Sequence, residues 1–195
     1  MTYTELKKLR EKLFFTVADV SETFAITQPS ARIACARYAQ KGVFLRLKNN
    51  FYTLDEKWAY YRREDFLQLA GYLQVPSYVS LTTALAFYEV TTQVARASFE
   101  NVAFKRSCRL EQKGTQFSYF KIRKDLYFGF SRQNGFFIAS KEKALADALY
   151  FSAFGKYAFD AAALDKDKID RKELKKILKK FPRRVMESAK KLCLI

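Results

Sequence analysis

The sequence predicts an α+β chain in two parts. Three short helices and a β-hairpin occupy residues 1–55, and residues 64–195 form a mixed α/β domain whose antiparallel sheet is flanked by helices. Three observations predict this. Apolar residues recur at three- and four-residue spacing up to Lys41, then give way after Gly42 to branched and aromatic runs. Asp55 to Arg63 is a charged, aromatic-containing connection between the parts. Beyond it, a β-like stretch from Thr91 to Ile138 lies between helical patterns.

The first helix is placed over Tyr3 to Phe14, with Leu6, Leu9 and Leu13 on one face. Thr16 is an N-cap residue for a shorter helix, Val17 to Phe24. Thr27 or Gln28 caps a third helix, with Pro29 in its first turn, where a missing N–H costs little. That helix runs to Lys41 and stops at Gly42, the residue type expected just past a helix end. Val43 to Leu47 and Phe51 to Leu54 read as two strands, joined by Lys48-Asn49-Asn50, where asparagine tolerates positive φ. Three helices followed by a basic-tipped hairpin make a winged helix-turn-helix.

In the second part, Glu64 to Leu73 reads as a helix and Val75-Pro76 as a turn. Ser80 is expected to cap a helix with Leu81, Ala84, Leu85 and Tyr88 on one face. Phe66 to Tyr88, uncharged throughout, is long enough to span a bilayer. Its glutamines, serines, threonines and Pro76 make it two packed helices around a turn instead. Strands are placed at Ala97–Leu110, Thr115–Ile122, Leu126–Phe130 and Gly135–Ile138. Ser140 caps a helix stacking Leu145, Ala148, Leu149 and Ser152, and Asp170 caps a last basic helix ahead of Pro182.

Lysine and arginine total 36 against 20 acids, a formal charge of +16. So positive a surface calls for a polyanion, with nucleic acid first and anionic membrane as the rival. The chain contains no histidine, which removes the usual general base, the commonest metal ligand and every Ser/His or Cys/His pair. Six glycines form neither a dinucleotide fingerprint nor a phosphate loop. Three widely separated cysteines suggest neither a disulfide framework nor a zinc site. Met1 to Arg10 lacks the apolar run of a secretory signal. The cysteine pattern fits a reducing cytoplasm, and the missing histidine and phosphate-binding glycines lead to the expectation of no catalytic residues, cofactor or metal. Asp165, Asp167 and Asp170 invite a calcium loop. However, residue 169 is Ile, the sharp-turn glycine is missing, and Lys166 and Lys168 would repel the ion.

On the third helix Ala31, Ala34, Cys35 and Tyr38 face the core, leaving Gln28, Ser30, Arg32 and Arg37 outward. On a recognition helix Gln28 would read adenine and Arg32 guanine, and Ser30 would bond a base or phosphate. The plain alternative is a solvated helix face. A protein-docking face would expose apolar side chains there. Arg46, Lys48, Asn49 and Asn50 at the hairpin tip suit phosphates, or serve to protect the hairpin from edge pairing. Between Lys166 and Lys191 stand twelve basic residues and four acids. Lys172, Lys175, Lys176, Lys179 and Lys180 lie off an apolar stripe of Leu174, Ile177, Leu178 and Phe181. The stripe covers a core, and the lysines are left to solvent, to nucleic-acid phosphates or to anionic lipid. Phe117, Tyr119 and Phe120 beside Lys121 and Arg123 are read as core rather than as a stacking platform.

The run Phe15-Thr16-Val17-Ala18-Asp19-Val20, the third helix, and the segments Gly42–Leu47 and Phe51–Leu54 resemble the winged-helix start of AbiEi-type antitoxins, regulators of type IV toxin–antitoxin systems. Pro76 to Leu85 is similar to that family's "yisl-x-x-AL" helix start, and Ala139 to Tyr150 to its "A-x-x-eKAL-x-D-x-x-Y" segment. The likeness reaches from about residue 15 to residue 152. It implies a repressor that binds double-stranded DNA at promoter repeats of its own operon. It also implies a second domain that counters a nucleotidyltransferase toxin without a stable complex. The family's wing turn usually holds glycine, where this chain has Asn49-Asn50. The alternative is a non-catalytic adaptor, with the winged helix docking protein and the basic C-terminus binding RNA or anionic lipid.

Overall fold

The computed structural model describes residues 3–195. The chain divides into two compact units, one ending at Leu69 and the next beginning at Ala70.

In the N-terminal unit, α1 (Tyr3–Leu6) passes into a 3-10 turn at Lys7–Leu9. The helix expected to Phe14 therefore ends early, and the cause is a competing partner. Phe15 exchanges backbone hydrogen bonds with Tyr52 at 2.8 and 2.9 Å, which demands extended chain just before it. Thr16 caps α2 (Val17–Phe24) in a reciprocal box with Asp19. Thr27 caps α3 (Gln28–Gln40), Pro29 falls in its first turn, and Gly42 follows the helix end at φ +70°. The strands β1 (Phe44–Lys48) and β2 (Phe51–Leu54) pair antiparallel, with Asn50 at φ +62°. Leu6, Leu9, Phe15, Val20, Ala31, Cys35, Tyr38, Phe44 and Tyr52 form one buried cluster. The charged connection is more ordered than its composition suggests. It contains α4 (Asp55–Trp58) and opens α5 (Arg63–Leu73), with Trp58, Tyr61 and Phe66 stacked edge-on or tilted.

The second unit holds β3 (Ser77–Val79), α6 (Leu81–Phe87), β4 (Ser98–Ala103), β5 (Cys108–Gln112), β6 (Thr115–Lys121), β7 (Phe130–Gln133), β8 (Phe136–Ala139), α7 (Lys141–Ala153), α8 (Arg171–Leu178) and α9 (Arg183–Lys191). The sheet order is β5-β6-β4-β3-β8-β7. This sheet is mixed, not antiparallel as expected, because β4 runs parallel to β6 and β3 parallel to β8. β5 lies outside β6, so the tight hairpin at Lys113-Gly114 returns β6 along β4 in the same direction.

Five element readings of this unit need correction, the first being that the helix ahead of Pro182 is not the last, since α9 follows it. Ser77 to Val79 is a fully buried strand inside the sheet, not part of a turn between two packed helices. Ala97 to Leu110 is two strands separated by a corner. Leu126 closes a 3-10 turn, and the strand begins only at Phe130. Ser80 occupies the N-cap position of α6 without capping it, since its hydroxyl is turned to Asp147.

α7 is the hub of this unit. Glu142 to Leu149 are buried all round, because α6, α8 and α9 pack against it. α8 contributes Leu174, Ile177 and Leu178 to that packing, and Phe181 follows them into the core. This is the apolar stripe read from the sequence. Asp165 and Asp170 serve as caps, accepting from the N–H groups of Asp167 and of Lys172 and Glu173. Phe117 and Tyr119 are core, and Phe120 packs on Phe151 and Tyr157. Among the described residues no helix is long and apolar enough to cross a membrane.

Candidate nucleic-acid interface

α3 presents an outward face because its small and flat residues are placed toward the core. Ala31, Ala34, Cys35 and Tyr38 are buried, and burial pushes the Cys35 thiol up to about 11. Gln28, Ser30, Arg32 and Arg37 are all exposed. No acid occurs between Gln28 and Gln40. Thr27 holds the first turn, its hydroxyl donating to Ser30 Oγ at 3.0 Å and accepting from the Ser30 N–H at 3.4 Å. The guanidinium of Arg37 lies 5.3 Å from the centre of the Tyr38 ring.

One residue on this face escaped the sequence reading. Ile33 is 69% exposed, an uncovered branched side chain between the two arginines. At about 100° per residue, the buried stripe defines an opposite pole. Ile33 lies within about 30° of that pole, and Pro29 and Gln40 about 10° from it. Arg32 and Arg37 leave the helix about 70° to either side, Ser30 about 90° and Gln28 about 110° away. Gln28, Ser30, Arg32 and Arg37, the residues read as outward, thus stand on the flanks of this face, and Ile33 lies between the two arginines. The signal was already in the sequence, in the spacing of Ile33 from Ala31, Ala34, Cys35 and Tyr38.

The hairpin tip is internally braced. Arg46 donates to Asn49 Oδ1 at 3.2 Å, and both are exposed. Lys48 is half-buried, with its ammonium 4.1 Å from the centre of the Phe51 ring, and burial lowers its pKa. Phe51 in turn stacks on Phe14 at 4.9 Å. Asn50 turns its side-chain oxygen inward to the Val17 N–H. Arg46 and Asn49 are therefore the tip residues that face solvent with their polar ends, and Asn50 has a structural partner.

In the second unit Lys172, Lys175, Lys176, Lys179 and Lys180 are all exposed on α8 and just past it. Lys176 pairs with Glu173 at 3.3 Å, and Lys180 lies 4.3 Å over the Phe128 ring. A cleft of about 740 Å³ runs beside them, walled by Phe128, Phe130, Lys141, Glu142, Lys176 and Lys180.

Sequence reasoning also missed a sealed polar cluster. Lys143 and Asp147, one helical turn apart on α7, are both wholly buried and joined by an ion pair. Lys143 also donates to the Tyr78 hydroxyl at 2.9 Å. Tyr78 and Ser80 donate to Asp147 at 3.0 and 2.9 Å. The rings of Tyr78, Phe128 and Phe181 stand 5.1 to 5.3 Å from the ammonium. Burial pushes the Lys143 pKa down and that of Asp147 up, against the pull of their mutual attraction. The pair has no solvent access and, through Tyr78 and Ser80, ties α7 to β3 and the residue that follows it.

No protein-family model matches the chain, and no curated protein matches it by sequence. Among solved structures it is similar to the RV2827C protein of Mycobacterium tuberculosis. The TM-score is 0.62 at 13% identity, over 97% of this chain and 73% of that one. What the two chains share is their α+β fold.

Proposed function

We propose that the N-terminal unit is a winged helix-turn-helix that binds double-stranded DNA, with α3 in the major groove and the β1–β2 hairpin as the wing. The observation that carries this reading is the outward face of α3, exposed, free of acids and flanked by Arg32 and Arg37. A helix so placed reads base edges, and cations beside it neutralise phosphates. Arg32, in the N-terminal half, is assigned to a purine edge. Arg37 and Arg46 are assigned to phosphates, and the lysines of α8 offer further phosphate contacts. The absence of histidine supports a binder rather than a catalyst, working without cofactor or metal.

In its sharper form the protein is an AbiEi-like type IV antitoxin in the cytoplasm. It represses its own operon and counters a nucleotidyltransferase toxin without a stable complex. The motif likeness of Phe15–Leu54, Pro76–Leu85 and Ala139–Tyr150 supports this form.

The test is a mobility-shift titration of the full chain on its own promoter. If about six cations meet phosphates, affinity falls about 10³-fold between 50 and 200 mM salt. Arg32→Ala should relax preference at one base pair and cost about 1–3 kcal/mol. A flat salt response, or equal binding to unrelated DNA, would refute the reading. One observation favours the adaptor alternative: Ile33 is an exposed apolar side chain on the outward face. It stands between two guanidiniums, which suits a groove better than an apolar protein surface.

A further inference from the structure

The position of Ile33 has a consequence for specificity. Covering an exposed isoleucine with an apolar group is favourable. This one stands nearer the outward pole of α3 than either arginine and is 69% exposed. Its neighbours across the face, Pro29 and Ala36, are exposed and short, so they leave the helix free to approach a groove floor closely. Arg32 and Arg37 diverge on the two flanks, toward the walls of such a groove. A duplex matches this pattern of an apolar centre between two cations, with base edges at the floor and phosphates on both sides.

Among the groups that tell base pairs apart in the major groove, the 5-methyl of thymine is the one alkyl group, set against hydrogen-bond donors and acceptors. Isoleucine has neither donor nor acceptor. We infer that Ile33 is a specificity-determining residue and that its side chain packs on the 5-methyl group of a thymine in the bound DNA. This rests on the DNA-binding reading of α3 and names what that face selects.

The experiment starts from duplexes selected out of a random pool by the full-length protein. In the best duplex each thymine is replaced singly by deoxyuridine, which removes the methyl and leaves the pairing edge intact. Affinities are measured for the wild type and for Ile33→Ala. One substitution should weaken the wild type about fourfold, the worth of one buried methyl group. The same substitution should leave Ile33→Ala within about 1.5-fold of its own parent value, the coupling that identifies direct contact. Because the side chain is exposed and alanine favours helix, Ile33→Ala keeps its fold, and an unchanged circular dichroism melt verifies this.

If a specific duplex is selected but no thymine is methyl-sensitive, the inference fails while the DNA-binding reading stands. The same holds if the sensitive thymine stays sensitive in Ile33→Ala. If no specific duplex is selected, both fail. Self-association that Ile33→Ala abolishes, without methyl sensitivity, assigns the side chain to a protein surface and overturns the inference.

Discussion

The side chain of Asn50, at the tip of the hairpin, accepts a hydrogen bond from the backbone N–H of Val17, the first residue of α2, at 3.0 Å. The first N–H groups of a helix have no partner within it. Here the hairpin supplies one, so the tip and the start of α2 form one rigid joint. The asparagine meets two demands at once, since its backbone sits at φ +62° and its amide oxygen serves as acceptor. The two demands can be separated. Asn50→Gly keeps the backbone and loses the acceptor, at a cost of about 1 kcal/mol. Asn50→Ala loses both, at about 2 kcal/mol. The chain has a single tryptophan, Trp58, so urea unfolding followed by its fluorescence reports on this unit. Equal stability of the two variants would show that the turn carries no strain at residue 50.

Asp19 closes the capping box at the same helix end. Its carboxylate accepts from the Thr16 N–H at 2.8 Å and from the Thr16 hydroxyl at 2.6 Å, and pairs with Lys12. Burial raises its pKa, but the bonds from Lys12 and Thr16 together outweigh burial and hold it below the ordinary 3.8. A carboxyl depressed in the folded state stabilises fully above its unfolded pKa and loses that contribution as pH falls through the folded value. Asp19→Ala should cost about 1 kcal/mol at neutral pH. The gap to the wild type should stay constant down to about pH 5 and narrow below about pH 4. A gap that widens on acidification would contradict the pairing.

Lys143 and Asp147 predict a strongly non-additive pair. Lys143→Met leaves a carboxylate buried without its cation, and Asp147→Leu leaves the reverse. Each should cost about 3–5 kcal/mol. The double variant should lose clearly less than the sum, because two apolar side chains of similar size need no partner. Thermal unfolding followed by circular dichroism measures all three. Additive losses would mean that each group is held by Tyr78, Ser80 and the rings, not by the other.

The parts legible in the sequence were those fixed by near neighbours. Thr16 and Thr27 as caps, Gly42 beyond a helix end and Asn50 at positive φ are local requirements that residue type alone signals. What failed depended on distant partners. Leu6, Leu9 and Leu13 carry a helical period, yet the pairing of Phe15 with Tyr52 extends the chain before Leu13 can join the helix. Ser77-Tyr78-Val79 is too short to show alternation, and its place between β4 and β8 is set by strand order. Lys143 reads as an ordinary polar helix residue until α8 and α9 close over α7. At the candidate interface, residue types drew attention to Arg32 and Gln28, whereas helix geometry, already computable, points to Ile33.

The Phe181 ring over the Lys143 ammonium bears on how the C-terminal end should be manipulated. The lysine-rich α8 looks from its charge like a detachable tail, but Phe181, just past its end, roofs the wholly buried Lys143–Asp147 pair. Cutting the chain ahead of Arg171 would flood that site and loosen the hub helix. Any loss of nucleic-acid affinity in such a truncated protein would then report a collapsed scaffold. Neutralising Lys175 and Lys179 in place, with the roof intact, isolates the electrostatics.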